Sequence, residues 1–547
     1  MRYFFTLMLA SFFFAAAALP EAAWPMKAKD GRHSYCTSAP GINTPAVFWT
    51  LPSVQTAAEG GPCTVIGEND DIYIVKKTAG TYSIEEINRK GETQRVYATG
   101  SASPIVSLAT GGGRLYAVVN GALQAWVLGN TSPQWTVSSN IGSVAVLDES
   151  GNVFVANPDT LYAFTPSGAN LWPQHYDLDT TWFVGAWPGY YGNAVFIIYD
   201  TYYAAINTSN GSQRWRHDIT AWGAFDYFAG PVIGPDGASW VGRVASGSIW
   251  DYVMIEPSLG GCNLDIVPLY NEALFAVSDA KRLLFAGSER LLGWDYVMGA
   301  SSSADNVFDT NIHFNTTSAI TIAADRFYCG RGNGSLYAFN MDGTQRWVYP
   351  LGIGGAYPSH IMAADQYGTL YMVLSDGRMA AVGEAPVAVV SGPSSSAVGV
   401  PVSFSSAGSG PGILTDTITY HWDFGDFTYS DEPDPEKTYT TGGAYNVVLT
   451  VTVNETGAVA ADGFVFTADD VPPSVTLASV ILAGNVDDDY HMPLFVAVNG
   501  VEIPVDPAIK TWESDPIPLE ASGPTVIDVV AYDANFQTTT VLVTITP

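Results

Sequence analysis

The sequence predicts an all-β protein: a β-propeller of eight four-stranded blades, or seven if one degraded copy is misread, followed by two smaller β-sandwiches. Three observations carry this. A strand-rich phrase recurs with a period near 40 residues across the first two-thirds of the 547-residue chain. Turn formers abound (54 Gly, 33 Pro) while charged residues make up only 14%, which starves helices and favours short strands. Beyond Glu384 the period stops but strand-like alternation continues to the end of the sequence.

The recurring phrase is an apolar strand, a tight turn, a second strand, then Gly-x-x-x-Trp. It reads Leu161-Tyr162-Ala163-Phe164 with Gly168 and Trp172, Tyr203-Ala204-Ala205-Ile206 with Gly211 and Trp215, and Leu336-Tyr337-Ala338-Phe339 with Gly343 and Trp347. A looser copy runs from Leu123 to Trp126 and closes at Trp135; the first copy has Gly91 but Arg95 where Trp is expected. Trp215 to Trp347 is 132 residues, three units of 44, so two degraded copies are expected around 228–265 and 272–309. One such sheet cannot bury both of its faces alone, and radial stacking lets each pack on the next. The last copy, about 359–383, has three strands and no closing Trp, whereas Ala46-Val47-Phe48-Trp49-Thr50 precedes the first copy as a spare strand. Pairing the two leaves no open edge there.

The repeated Leu-Tyr-Ala-Phe…Gly-x-x-x-Trp, with the opening Trp24-Pro25-Met26, Asp30, His33 and Trp49, resembles pyrroloquinoline-quinone-like (quinoprotein-type) propellers over residues 24–384. The resemblance speaks to fold; that family includes dehydrogenases, an assembly scaffold and many proteins of no known activity, and a shared fold does not carry a shared site. A working quinone dehydrogenase of this kind needs calcium ligands, a catalytic carboxylate and usually a vicinal Cys-Cys pair. All four cysteines here are isolated, so no quinone cofactor is expected.

Residues 385–470 alternate as strands around Tyr420-His421-Trp422-Asp423-Phe424-Gly425-Asp426. With Thr438-Tyr439 and Gly443-x-Tyr445, this resembles the PKD domain, an immunoglobulin-like β-sandwich in which the Trp fills the core and Asp-Phe-Gly-Asp fixes a hairpin turn. A Gly usually follows that motif; here it is Phe427, which implies a different turn. Residues 471–547, opened by Pro472-Pro473-Ser474-Val475-Thr476-Leu477, resemble a second immunoglobulin-like module of the kind appended to extracellular bacterial proteins.

Arg2 precedes an apolar run from Phe4 to Leu19 that ends in Ala16-Ala17-Ala18, which reads as a signal peptide (1–18) cleaved near Ala18. No later stretch is long and apolar enough for a membrane span. A secreted protein, extracellular or periplasmic and monomeric, is expected. The net charge of −31 argues against nucleic acid and anionic membranes as partners. In an oxidising compartment Cys36 and Cys63 are the candidate disulfide, while Cys262 and Cys329 fall in distant repeats. The six sequons, at Asn130, Asn207, Asn210, Asn315, Asn333 and Asn454, are close to the chance number.

No Gly-x-Ser-x-Gly elbow or His-Glu-x-x-His zinc motif occurs, and the seven His are scattered without ligand spacing. Calcium is the one metal left open, through Asp487-Asp488-Asp489 or Asp423 with Asp426, although neither follows the Asp-x-Asp-x-Asp-Gly pattern. A solvated turn is the simpler reading of both. Binding without catalysis is the expected function, with a protein or glycan partner at the cell surface. The candidate residues are Trp182, Trp187, Tyr190 and Tyr191 in one aromatic segment, and Trp222, Phe225 and Tyr227 in another, because flat rings beside polar groups suit sugars and protein hot spots. The competing reading of these rings is inter-blade core. The alternative function is an extracellular enzyme, quinone-dependent or carbohydrate-active, with accessory modules.

Overall fold

The computed structural model describes residues 29–30, 36–56, 64–178, 188–219, 224–225, 231–245, 249–255, 267–270, 274–286, 290–296, 305–310, 312, 320–472, 474–477, 483–487, 495–498, 500–505, 511–514, 525–533 and 535–545. The described residues are all-β, with no helix among them, and the chain divides into two compact units, 1–384 and 385–547.

In the first unit the described strands form eight successive small antiparallel sheets, seven of four strands and one of five. They span 64–101, 105–138, 146–177, 189–218, 224–270, 274–310 and 321–350, and the eighth joins 358–384 to Pro45–Leu51. The fifth and sixth sheets lie where the two degraded copies are expected. Within a sheet, strands adjacent in sequence pair, because tight turns reverse the chain. Asn120 and Gly121, at φ 50° and 73°, make a two-residue turn between Arg114–Val119 and Ala122–Val127. Both positions need left-handed backbone, which Asn-Gly supplies at little cost.

Burial explains why the repeat alternates apolar runs with mixed ones. Middle strands such as Ala194–Tyr199 are buried at every position, so both of their faces meet other sheets, whereas the outer strand Gln213–Asp218 alternates exposed and half-buried residues. One apolar cluster joins Phe154, Leu161 and Trp172 of the third sheet to Val195, Ile197 and Ile206 of the fourth. Each such side chain, once fully buried, stabilises the fold by about 1.5–3 kcal/mol.

The Gly-x-x-x-Trp phrase is a lock between neighbouring sheets. The indole N–H of Trp172 donates to the Thr208 carbonyl at 2.7 Å, that of Trp135 to Pro166 at 3.1 Å, and that of Trp49 to Arg89 at 2.7 Å. A Cβ on Gly211 would stand 2.8 Å from the Trp172 ring, and one on Gly168 2.8 Å from Trp135. The glycine of one copy is therefore the seat for the tryptophan of the copy before it, and its own φ of 74° or 88° reinforces the requirement. Between the first and second sheets both halves of the lock are absent. The first copy has Arg95 for Trp, and Thr131 occupies the glycine position four residues before Trp135. Arg95 there pairs with Glu86 at 2.7 Å instead. In the sixth sheet Phe308 takes the tryptophan role beneath Gly343.

The spare strand pairs as expected: Pro45–Leu51 runs antiparallel to Met379–Glu384. Trp49 lies opposite Ala381, as Trp347 lies opposite Ala338 and Trp215 opposite Ala205, so the closing Trp missing from the last copy is supplied from the other end of the unit. The Glu384 carboxylate accepts the Asn43 and Thr44 amides at 2.5 and 3.0 Å, fixing the entry of that strand.

In the second unit, Val459–Asp469, Gly443–Val453 and Ile418–Asp423 form the centre of a five-stranded sheet, with a two-stranded pair at Pro401–Ser403 and Glu436–Thr438. Trp422 is wholly buried beside Phe404, Phe424, Leu449 and Phe466. Beyond 473, a three-stranded and a four-stranded sheet share a smaller cluster that includes Val486, Val496, Trp512 and Ile527.

Candidate functional site

Trp182, Trp187, Trp222 and Tyr227 lie outside the described residues, and Phe225 is described only as backbone, paired with Arg243. The described chain stops shortly before each segment. Leu178, the last described residue before the first, donates its amide to the Asp159 carbonyl at 2.8 Å; Ile219, the last before the second, donates to the Thr201 carbonyl at 2.7 Å. Leu178 and Ile219 thus lie beside the hairpin turns at 157–160 and 199–202, at the same end of two neighbouring sheets.

A polar-aromatic cluster that sequence reasoning missed stands at that end. Tyr176 comes from the third sheet, while Tyr199, Tyr202 and Arg216 come from the fourth. The Tyr176 hydroxyl is 3.1 Å from that of Tyr199 and donates to Gln213 Oε1 at 2.7 Å. The Tyr199 and Tyr202 ring centroids are 5.8 Å apart, and the exposed Arg216 guanidinium lies 4.2 Å over Tyr202. Burial holds the Tyr176 hydroxyl well above the ordinary tyrosine range, so it stays a protonated donor. The Arg216 cation is strengthened first by its hydrogen bond to Tyr199. Tyr199 is itself 2% exposed and belongs to the core between the two sheets, so what the cluster offers for recognition is the half-buried Tyr176 and Tyr202 and the exposed Arg216 cation, with no base or nucleophile. Its residues escaped notice because each one alone reads as an ordinary strand residue; only the i, i+3 hairpin spacing of Tyr199 and Tyr202 carried a signal.

Tyr190 and Tyr191 sit in the packing between sheets. Tyr190 is 7% exposed, stacks on Phe154 with centroids 6.4 Å apart, and donates its hydroxyl to Glu149. Half-buried Tyr191 donates to the Pro235 carbonyl at 2.7 Å, tying the fourth sheet to the fifth. Tyr190 therefore presents no open face, while Tyr191 is partly covered.

The Trp422–Asp426 motif builds a hairpin end. Trp422 donates its indole N–H to the Glu432 carbonyl at 3.0 Å, and the Tyr439 hydroxyl donates to the Phe424 carbonyl at 3.0 Å. Asp423 accepts the Gly425 amide at 2.9 Å. Asp426 accepts the Thr428 amide and hydroxyl at 3.1 and 2.6 Å and pairs with Lys437 at 2.6 Å. Its carboxyl is held below the usual range by Lys437 and Thr428, against the opposing effect of burial. A Cβ on Gly425 would stand 2.8 Å from the Asn446 backbone, so glycine is required there. Asp488 and Asp489 lie outside the described residues, and Asp487 is described only as the end of the strand Ala483–Asp487.

Among the described residues no three His, Cys, Asp or Glu side chains come together as a metal site. Burial lowers the pKa of both His175 and His217. Cys36 is buried, which pushes its thiol up to about 11; Cys63 and Cys262 lie outside the described residues. No helix among the described residues is long and apolar enough to cross a membrane.

Residues 383–467 match the family model described as the PKD domain. The PKD1 domain of Vibrio anguillarum Epp is 32% identical, with 98% of it and 16% of this chain covered and a TM-score of 0.14. The PKD1 domain of the Vibrio cholerae metalloprotease PrtV is 30% identical, with 99% of it and 16% of this chain covered and a TM-score of 0.13. A eukaryotic initiation factor, with 96% of it and 72% of this chain covered, is only 8% identical with a TM-score of 0.37, too distant to bear on the fold of the first unit. PKD domains typically belong to extracellular proteins and mediate protein interactions there. Residues 383–467 are a PKD domain.

Proposed function

We propose that the protein is exported and acts by non-catalytic recognition, using one face of an eight-bladed propeller to hold a protein or glycan at the cell surface. The observation that carries this reading is the cluster of half-buried Tyr176 and Tyr202 with the exposed Arg216, held together by the buried Tyr199. Rings and a stacked guanidinium at one end of adjacent sheets suit a recognition surface. The pairing of Pro45–Leu51 with Met379–Glu384, and the Trp–Gly locks between successive sheets, support reading the eight sheets as blades of a closed ring. The PKD domain and the module after it, read as immunoglobulin-like sandwiches, serve as spacers or secondary contacts. Residues 1–18 are the export signal.

The test is thermal unfolding of the secreted chain across a glycan panel, and separately with pyrroloquinoline quinone plus calcium. A ligand at 100 times its dissociation constant stabilises the native state by about 2.7 kcal/mol, visible as a raised midpoint. A shift with a glycan that Tyr202→Ala and Arg216→Ala both abolish supports the reading. A shift with quinone replaces it with an oxidoreductase. No shift with either probe makes the partner a protein.

A further inference from the structure

Phe427 and Phe536 are the only aromatic residues with positive φ among the described residues, at 66° and 60°. The other non-glycine residues there are Asn, Asp, Lys, Ser and Ala, for which that backbone is more familiar or the side chain smaller. A phenylalanine costs about 1–2 kcal/mol in the left-handed region relative to its ordinary one. Such a cost is usually offset by packing, yet these rings are 91% and 73% exposed and belong to no apolar cluster of the unit. Glycine would fit both turns better. Gly425, two residues earlier, is by contrast required by the Asn446 backbone against it. Nothing in the fold explains Phe at position 427 or 536, and strain kept at an exposed tip points to use.

Both turns lie at the same end of the PKD domain. Asp423 pairs with Val448 and Gly443 with Ala468, so the 423–428 hairpin end lies toward the edge from which Asp469 leaves the sheet. Gln537, next to Phe536, donates its side-chain amide to the Asp469 carbonyl at 2.6 Å, which sets its turn against that same end. The surroundings are acidic. Segment 423–437 holds six carboxylates and a single lysine, and that lysine is already bound to Asp426.

We propose that Phe427 and Phe536 form a two-knob docking tip for a protein partner that offers apolar sockets rimmed by lysine or arginine. This goes beyond the recognition face of the first unit and does not depend on it. Lone rings on convex turns insert into pockets, and buried aromatic anchors dominate such interfaces. The carboxylates around the hairpin supply charge complementarity that selects a basic rim. The same carboxylates, in a chain of net charge −31, oppose docking on an anionic bilayer.

The test uses the full chain and a chemical surrogate for the socket: β-cyclodextrin carrying an amine at each primary carbon, whose cavity admits a phenyl ring. Neutral and sulfobutyl-ether β-cyclodextrins are the controls, with binding read by calorimetry. The expected order is amine above neutral above sulfonate, with Phe427→Gly weakening the amine form by about tenfold or more. Phe427→Gly is also expected to leave the thermal midpoint within about 3 °C, because it relieves strain and removes no packing. Equal binding by the variant, no preference for the amine form, or a midpoint lowered by much more than that overturns the proposal. So does retention on phosphatidylcholine vesicles or microcrystalline cellulose that Phe427→Gly alone abolishes.

Discussion

The two best-defined regions use tryptophan in opposite ways. In the repeat unit, Trp49, Trp135 and Trp347 are half-buried at sheet margins, and each spends its indole N–H on a carbonyl belonging to the adjoining sheet or, for Trp347, to Ile42 at the entry to the closing strand. In the PKD domain, Trp422 is fully buried at the centre of one cluster, with Phe404 and Phe424 rings 6.0 and 6.5 Å away. The first arrangement spreads stability over nearest-neighbour interfaces, so one copy can lose its tryptophan, as at Arg95, and the sheet persists. The second concentrates stability in one place and tolerates no such loss.

That contrast is open to breaking. The largest effect is expected at Trp422→Ala, which leaves a cavity in a single core and costs about 3–5 kcal/mol, enough to unfold residues 385–470 cooperatively. Hydrogen exchange should show protection lost across Gly443–Val453 and Val459–Asp469 together. Trp172→Ala also removes a wholly buried indole, and about 3 kcal/mol is expected. Here the loss of protection should stay local, confined to the strands Val153–Phe164 and Ala194–Asp218 that flank the interface. Uniform loss over all eight sheets would erase the distinction between the two regions.

A smaller and sharper comparison uses two glycines of one conformation. Gly112 and Gly211 have φ of 58° and 74°, but a Cβ on the first meets nothing within 4 Å, whereas one on the second meets Trp172 at 2.8 Å. Gly112→Ala should cost about 1–2 kcal/mol from the backbone alone. Gly211→Ala should add a further 1–3 kcal/mol, roughly, from overpacking, and that difference measured by urea denaturation isolates the tryptophan seat.

The smallest effect concerns the seam between the eighth and first sheets. Asp365 is fully buried, accepts the Tyr371 hydroxyl at 3.0 Å and lies 3.6 Å from Arg89, the residue whose carbonyl holds Trp49. Burial raises its pKa to about 6, with Arg89 opposing. The folded carboxyl thus holds its proton more tightly than the unfolded one, so its contribution to stability is fully present below about pH 4 and is lost as pH rises through about 6. Asp365→Asn should therefore gain on the wild type between about pH 4 and pH 6 and hold that gain above it, a trend readable from denaturation midpoints at fixed salt. A difference independent of pH would show that the carboxyl titrates normally.

The sequence revealed period and punctuation, and these are local properties. Four strands per copy, the degraded copies before and after residue 270, and the pairing of Ala46–Thr50 with the last copy all followed from spacing. The Trp–Gly seat was visible only as a recurring pair, because the partners belong to successive copies and meet through packing across sheets. The site was less legible. Tyr190 and Tyr191 sit in an aromatic run that reads either as inter-blade core or as a binding surface, because composition cannot tell which face of a strand meets another sheet. Tyr176, Tyr202 and Arg216 come together only because two outer strands end beside each other. Phe427 was noticed as a missing glycine, but its exposure depends on the path of the backbone.

The strand Pro45–Leu51 has a consequence for how the chain is made. It is synthesised among the first residues of its unit, and its partner, Met379–Glu384, follows about 330 residues later. At typical synthesis rates of about 5–20 residues per second, the early strand waits between roughly a quarter of a minute and a minute with its backbone edge unpaired. Throughout that interval Trp49 has only the first sheet to rest on, through Arg89 and Gly91, and its own strand has no paired neighbour, so newly made chains carry an aggregation-prone and protease-accessible edge that finished molecules lack. Maturation is thus timed by the arrival of the last sheet, and a truncation before residue 379 leaves that edge open permanently.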